Sequence, residues 1–120
     1  MRFSDTLKEL REKNGYTQQR LGELLHVSKN SISHYELGKS LPDINVLIEM
    51  TDIFDVSMDY LLGLTDYNLS KDILNKSFDK TTKVGSVIES ILRLDKEHKN
   101  DMLKMLRYIE RDNRDRHNTP

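Results

Sequence analysis

The stretch TQQRLGELLHVSKNSISHYE, residues 17–36, decides how the rest of the chain is read. Thr17 and Ser28 each stand just before a run of apolar residues at helical spacing. That is the position where a side-chain oxygen accepts an N–H bond from the first turn of a helix. The first run carries Leu21, Leu24 and Leu25, and the second carries Ile32 and Tyr35. Between them only His26 and Val27 remain, so two short helices meet across a turn of about three residues.

Reading outward gives more helices and no strands, because no segment sustains apolar–polar alternation. Upstream, a helix is expected from about Ser4 to Asn14, with Leu7 and Leu10 inward and Asn14-Gly15 as its stop. The helix that starts at Lys29 runs to about Leu37 and ends at Gly38. After Leu41-Pro42, Asp43 caps a fourth helix to about Phe54, with Ile44, Leu47, Met50, Thr51 and Phe54 among its inner positions. Ser57 caps a short fifth helix through Leu62, stopped by Gly63. Residues 64–82 are polar and weakly periodic, which fits a linker holding one helical turn around Asp72–Lys76. Residues 83–112 then form a C-terminal αα-hairpin. Val84, Val87, Ile88, Ile91 and Leu92 lie on one amphipathic stripe, and Met102, Met105, Leu106 and Ile109 on another behind an Asp95 cap; these nine residues are expected to dimerise the hairpin with a second copy, in preference to capping the N-terminal core. Residues 113–120 are charged and expected to fray. The chain is thus all-α: a five-helix domain over residues 1–63, a linker and a helical hairpin.

Composition narrows the function. With no Cys there is no disulfide framework, thiolate metal site or Cys nucleophile. The four His (26, 34, 98, 117) are scattered without ligand spacing, so no metal or other cofactor is expected. No nucleophile motif occurs, and an enzyme with catalytic residues is not expected. The charged N-terminus has no signal-like apolar core, and no apolar run reaches membrane-spanning length. A cytoplasmic protein with no membrane partner is the expectation. Net charge is −1, which offers no general attraction to a polyanion. Residues 1–66 hold seven Lys/Arg against eleven Asp/Glu, whereas residues 67–120 hold twelve against nine. Local placement matters more than the total. All seven of the first set lie within residues 1–43, among six acids, and the other five acids follow.

The second helix of the central pair carries the chemistry. Its polar face presents Lys29, Asn30, Ser33 and His34. A helix fits the major groove, where Asn can both donate to and accept from adenine, Lys can donate to guanine, and Ser or neutral His can do either. Helix N-termini near Gln18 and Lys29 offer backbone amides to phosphates.

With Leu7, Leu10, Arg11, Gly15, Thr17-Gln18, Leu21, Val27-Ser28, Ile32-Ser33, Tyr35-Glu36, Gly38-Lys39, Leu41-Pro42, Leu47, Phe54, Val56-Ser57 and Asp59–Gly63 in register, the segment from Leu7 to Leu62 resembles the lambda-repressor/Cro-like (XRE) helix-turn-helix family. The resemblance implies base contact by Lys29, Asn30, Ser33 and His34. It implies phosphate contact by Gln18, Gln19, Ser28, Ser31, Lys39 and Ser40, and an internal ion pair between Arg11 and Glu36. It also implies a sequence-specific transcriptional regulator, a repressor bound as a homodimer to a palindromic double-stranded operator. The chain departs from the family pattern at Gly22, where Ala is usual, at His26, where Gly is usual, and at Thr51, where a small apolar residue is usual. The position of His26 needs a positive φ. An antitoxin or adaptor whose C-terminal helices bind a protein partner or antagonist is the competing expectation, and non-specific duplex association a third.

Overall fold

The computed structural model describes residues 2–118, and they form eight helices with no strand. The helices are α1 (Phe3–Lys13), α2 (Gln18–Leu25), α3 (Lys29–Glu36), α4 (Ile44–Phe54), α5 (Met58–Leu61), α6 (Lys71–Leu74), α7 (Val84–Leu92) and α8 (Lys96–Asn118). Two compact units divide at Asn75–Lys76.

Local chemistry sets the helix starts in the first unit. Thr17, Ser28, Asp43 and Ser57 each accept a bond from the backbone N–H three residues on, at 2.9–3.1 Å. The ends are set by left-handed residues. At α2 the N–H of Val27 bonds back to the Gly22 carbonyl at 2.9 Å, which forces His26 to φ 57°, ψ 38°. The same closure at α4 puts Asp55 at φ 51°, with Val56 N–H on the Thr51 carbonyl. Five side chains with no exposed surface, one from each of the first five helices, meet at the centre: Leu7, Leu21, Ile32, Met50 and Leu61. Phe3, Leu10, Leu25, Phe54 and Val56 surround them, and Tyr16 leans on Phe54 with ring centroids 6.4 Å apart.

Three expectations need correcting. Ile44 is 60% exposed and does not belong to the core. At about 100° per residue it lies roughly 120° from Met50, while Val46, Leu47, Ile53 and Phe54 share Met50's side. The linker is also not free chain. Asn68 accepts the Ser57 N–H through Oδ1 (3.1 Å) and donates through Nδ2 to the Asp55 carbonyl (3.2 Å). Ser70, 1% exposed, caps α6, and Lys71 pairs with Asp52 at 2.7 Å. That carboxylate holds the Lys71 ammonium above its usual range. Residues 64–75 therefore belong to the first unit. Residues 77–83 are closed by the Ser77–Lys83 bridge and by Asp79 Oδ1, which accepts the N–H groups of Thr81 and Thr82. Third, the tail is helical as far as Asn118, the last described residue. Thr119 and Pro120 lie outside the described residues.

In the second unit Asp95 caps α8, accepting the His98 N–H at 2.8 Å. The His98 N–H and ring together hold the Asp95 carboxyl below the usual range. Helices α7 and α8 are joined by a three-residue turn, yet the extensive helix–helix packing among the described residues lies within the first unit. Val84, Val87, Ile88, Ile91 and Met102 are half-buried. Leu92, Met105, Leu106 and Ile109 stay exposed.

Candidate nucleic-acid interface

The interface is built on α3, and three elements fix that helix. The Arg11 guanidinium on α1 holds the Glu36 carboxylate bidentately, Nε to Oε2 at 2.7 Å and Nη2 to Oε1 at 2.9 Å. Arg11 also donates from Nη1 to the Tyr16 carbonyl at 2.9 Å. The Gln18 amide of α2 donates to Glu36 Oε1 at 3.3 Å. The pair is well sheltered, with side-chain exposures of 12% for Arg11 and 4% for Glu36. The Glu36 hydrogen bonds hold the Arg11 guanidinium above its ordinary pKa against the opposing effect of burial, so it stays charged throughout the working range. One carboxylate thus ties α1, α2 and α3 together.

The turn fixes the remaining freedom. A Cβ added to Gly22 would stand 2.7 Å from the Val27 carbonyl oxygen and 3.3 Å from the Ser28 carbonyl carbon. Gly22 therefore lets α2 press directly on the backbone that leads into α3.

On this frame Lys29, Asn30 and His34 are exposed and Ser33 is half-exposed. At about 100° per residue, positions 29, 30, 33 and 34 share one side of α3, opposite Ile32 and Tyr35. Gln19, Ser28, Lys39 and Ser40 are exposed around that side. Ser31 is half-buried, and its hydroxyl lies 2.9 Å from that of Ser28. Gln18 is more constrained than its sequence position implies. One amide hydrogen is used on Glu36, and the second remains for a phosphate. Reasoning from polar groups missed Leu37. It is 63% exposed and ends the same side of α3, where an apolar group can meet a thymine methyl. Its spacing from Asn30, Ser33 and His34 was the available signal. Among the described residues no group of three or more His, Asp or Glu can hold a metal, and no helix is long and apolar enough to cross a membrane.

Two short helices locked across a tight left-handed turn, the second with an exposed polar side, define a helix-turn-helix domain. The "Helix-turn-helix" family model matches residues 7–61. Over 97 residues the chain is 34% identical to the uncharacterized HTH-type transcriptional regulator YqaE of Bacillus subtilis, covering 76% of this chain and 84% of that one. It is 37% identical over 82 residues to the HTH-type transcriptional regulator ImmR of the same organism, covering 67% of this chain and 65% of ImmR. Among solved structures it is similar to the P22 c2 repressor in complex with a synthetic operator, at 27% identity and TM-score 0.50. That match covers 52% of this chain and 94% of the repressor chain. The chain belongs to the helix-turn-helix transcriptional regulators of the lambda-repressor/Cro-like type.

Proposed function

We propose that this protein is a cytoplasmic repressor that binds a palindromic operator as a homodimer and reads bases in the major groove with α3. The supporting observation is the way α3 is held. The Arg11–Glu36–Gln18 network and the Gly22 contact immobilise a helix whose outer side carries Lys29, Asn30, Ser33 and His34. Rigid placement suits base readout, since a bidentate contact tolerates little error. Gln18, Gln19, Ser28, Ser31, Lys39 and Ser40 set the register on phosphates.

Asn30→Ala is expected to weaken operator binding by about 1–3 kcal/mol while leaving binding to unrelated duplex nearly unchanged. Fluorescence anisotropy on both duplexes measures the difference. Equal weakening on both would assign Asn30 to the backbone and remove it from base readout.

Dimerisation is assigned to the second unit. Leu92, Met105, Leu106 and Ile109 are exposed there, together with Leu103 and Tyr108, which the apolar stripe read from the sequence does not include. Two half-sites one helical turn apart require two copies, and a closed two-fold pair is the commonest oligomer. A fragment ending at Asn75, which retains the Asn68 and Lys71 contacts, is expected to sediment as a folded monomer with weak operator affinity, and the full chain as a dimer. A monomeric full chain would transfer the apolar surface to a different protein, the adaptor or antitoxin role.

A further inference from the structure

Helix α8 has two unlike sides. Met102, Met105, Leu106 and Ile109 lie along one. Lys104, Arg107, Arg111 and Arg114, spaced three, four and three residues apart, lie along the other. At about 100° per residue these four fall within roughly 80° of one another, with their centre about 170° from that of the apolar stripe. All four are exposed, and none forms an ion pair among the described residues. The nearby acids Asp101, Glu110, Asp112 and Asp115 fall at the borders of the stripe or beyond.

The cations crowd one side of the helix. Positions three and four apart are surface neighbours, and like charges there repel. Along this stripe each cation neighbours another, and the acids at helical spacing from them (Asp101, Glu110 and Asp115) are fewer than the four cations, so this side keeps a positive excess. The rest of the chain points to what neutralises the stripe. Residues 1–66, which hold the base-facing helix, carry more acids than cations. Most affinity for a duplex comes from neutralised phosphates, and the first unit has few cations to supply it. Three of the four residues are Arg, whose planar fork matches phosphate oxygens. A dimer that covers the apolar stripe leaves the opposite side of α8 open.

We propose that the Lys104–Arg107–Arg111–Arg114 side of α8 contacts DNA phosphates and adds sequence-independent affinity to the base reading of α3. The proposal rests on the reading of the chain as a DNA-binding dimer.

The test uses the full chain carrying Arg107→Gln, Arg111→Gln and Arg114→Gln, substitutions that keep good helix formers. Affinity for a mixed-sequence duplex, and for a duplex selected from a random pool, is followed across a salt series. The slope of log K against log salt is expected to flatten by about 0.9 for each phosphate that the variant no longer neutralises, on both duplexes alike. The ratio of the two affinities and the sedimentation of the protein stay as in the wild type. A matched variant, Lys76→Gln, Lys80→Gln and Lys83→Gln, removes the same charge from the same unit and is expected to keep the wild-type slope. An unchanged slope in the Arg variant overturns the proposal, and leaves the stripe to an acidic protein. So does an equal change in the Lys variant, or flattening that accompanies loss of the dimer. A wild type that binds neither duplex removes the DNA-binding reading itself, a result distinct from wild-type binding with an indifferent Arg variant.

Discussion

Glu36→Ala is expected to remove about 3–5 kcal/mol of stability, as measured by urea unfolding of the full chain. Whole domains are stable by only about 5–15 kcal/mol, so the variant should be marginal at 37 °C. The size of the effect follows from burial. An exposed pair contributes about 0–1 kcal/mol, but the Glu36 side chain is 4% exposed and the Arg11 side chain 12%. Removing the carboxylate leaves a desolvated guanidinium with the Tyr16 carbonyl as its hydrogen-bond acceptor and only the exposed Glu12 carboxylate, 3.8 Å away, as a counter-charge, and it frees the Gln18 amide. The loss therefore reflects an abandoned charge more than the net worth of the pair. Changing both partners to apolar residues, Arg11→Met with Glu36→Met, is expected to recover much of the stability. That double variant should still bind DNA less well, because nothing then holds Gln18 and α3 in register. A single-variant loss below about 1 kcal/mol would mean that the pair behaves as if solvated.

Gly22→Ala is expected to destabilise the protein, although the residue is in a helix where alanine is intrinsically better by about 0.5–1 kcal/mol. The added methyl would sit 2.7 Å from the Val27 carbonyl oxygen, a backbone atom of the turn itself. Relief requires α2 and α3 to move apart, and overpacking of this kind costs about 1–3 kcal/mol. Thermal unfolding measures the stability change, and operator affinity should fall as well because α3 is displaced. The neighbouring position gives the opposite expectation. His26 is left-handed at φ 57°, a conformation that strains an L-residue by about 1–2 kcal/mol. His26→Gly is accordingly expected to stabilise, less what glycine loses in the unfolded chain. A stabilising Gly22→Ala would mean that the contact relaxes freely and that the turn is not a fixed element of the interface.

The contrast between Gly22 and His26 marks what local sequence can convey. The positive φ at His26 was legible through the family resemblance, because His26 stands where that pattern has Gly. The starts at Thr17, Ser28, Asp43 and Ser57 were legible locally: each is a short polar residue set against a periodic apolar run. The Gly22 distance was not, since it depends on how closely two helices approach. Gln18 reads as a phosphate ligand from its position, while its bond to Glu36 depends on a residue eighteen positions away. The linker misled because Asn68 and Ser70 attach it through isolated polar contacts, which leave no periodicity. Ile44 misled because an apolar residue in the first turn can face either way until the partner helices are known. The extension of α8 through Asn118 was hidden by charge density, which reads as fraying although the spacing remains helical.

Selection of bound duplexes from a random-sequence pool by the 120-residue chain tests the central claim most directly. The predicted result is enrichment of an inverted repeat with half-site centres about 10 base pairs apart, lost when Asn30 and Lys29 are both replaced by alanine. A pool that emerges with no enriched sequence, or with one that the double variant enriches equally well, would contradict the reading of α3 as the base-recognising helix.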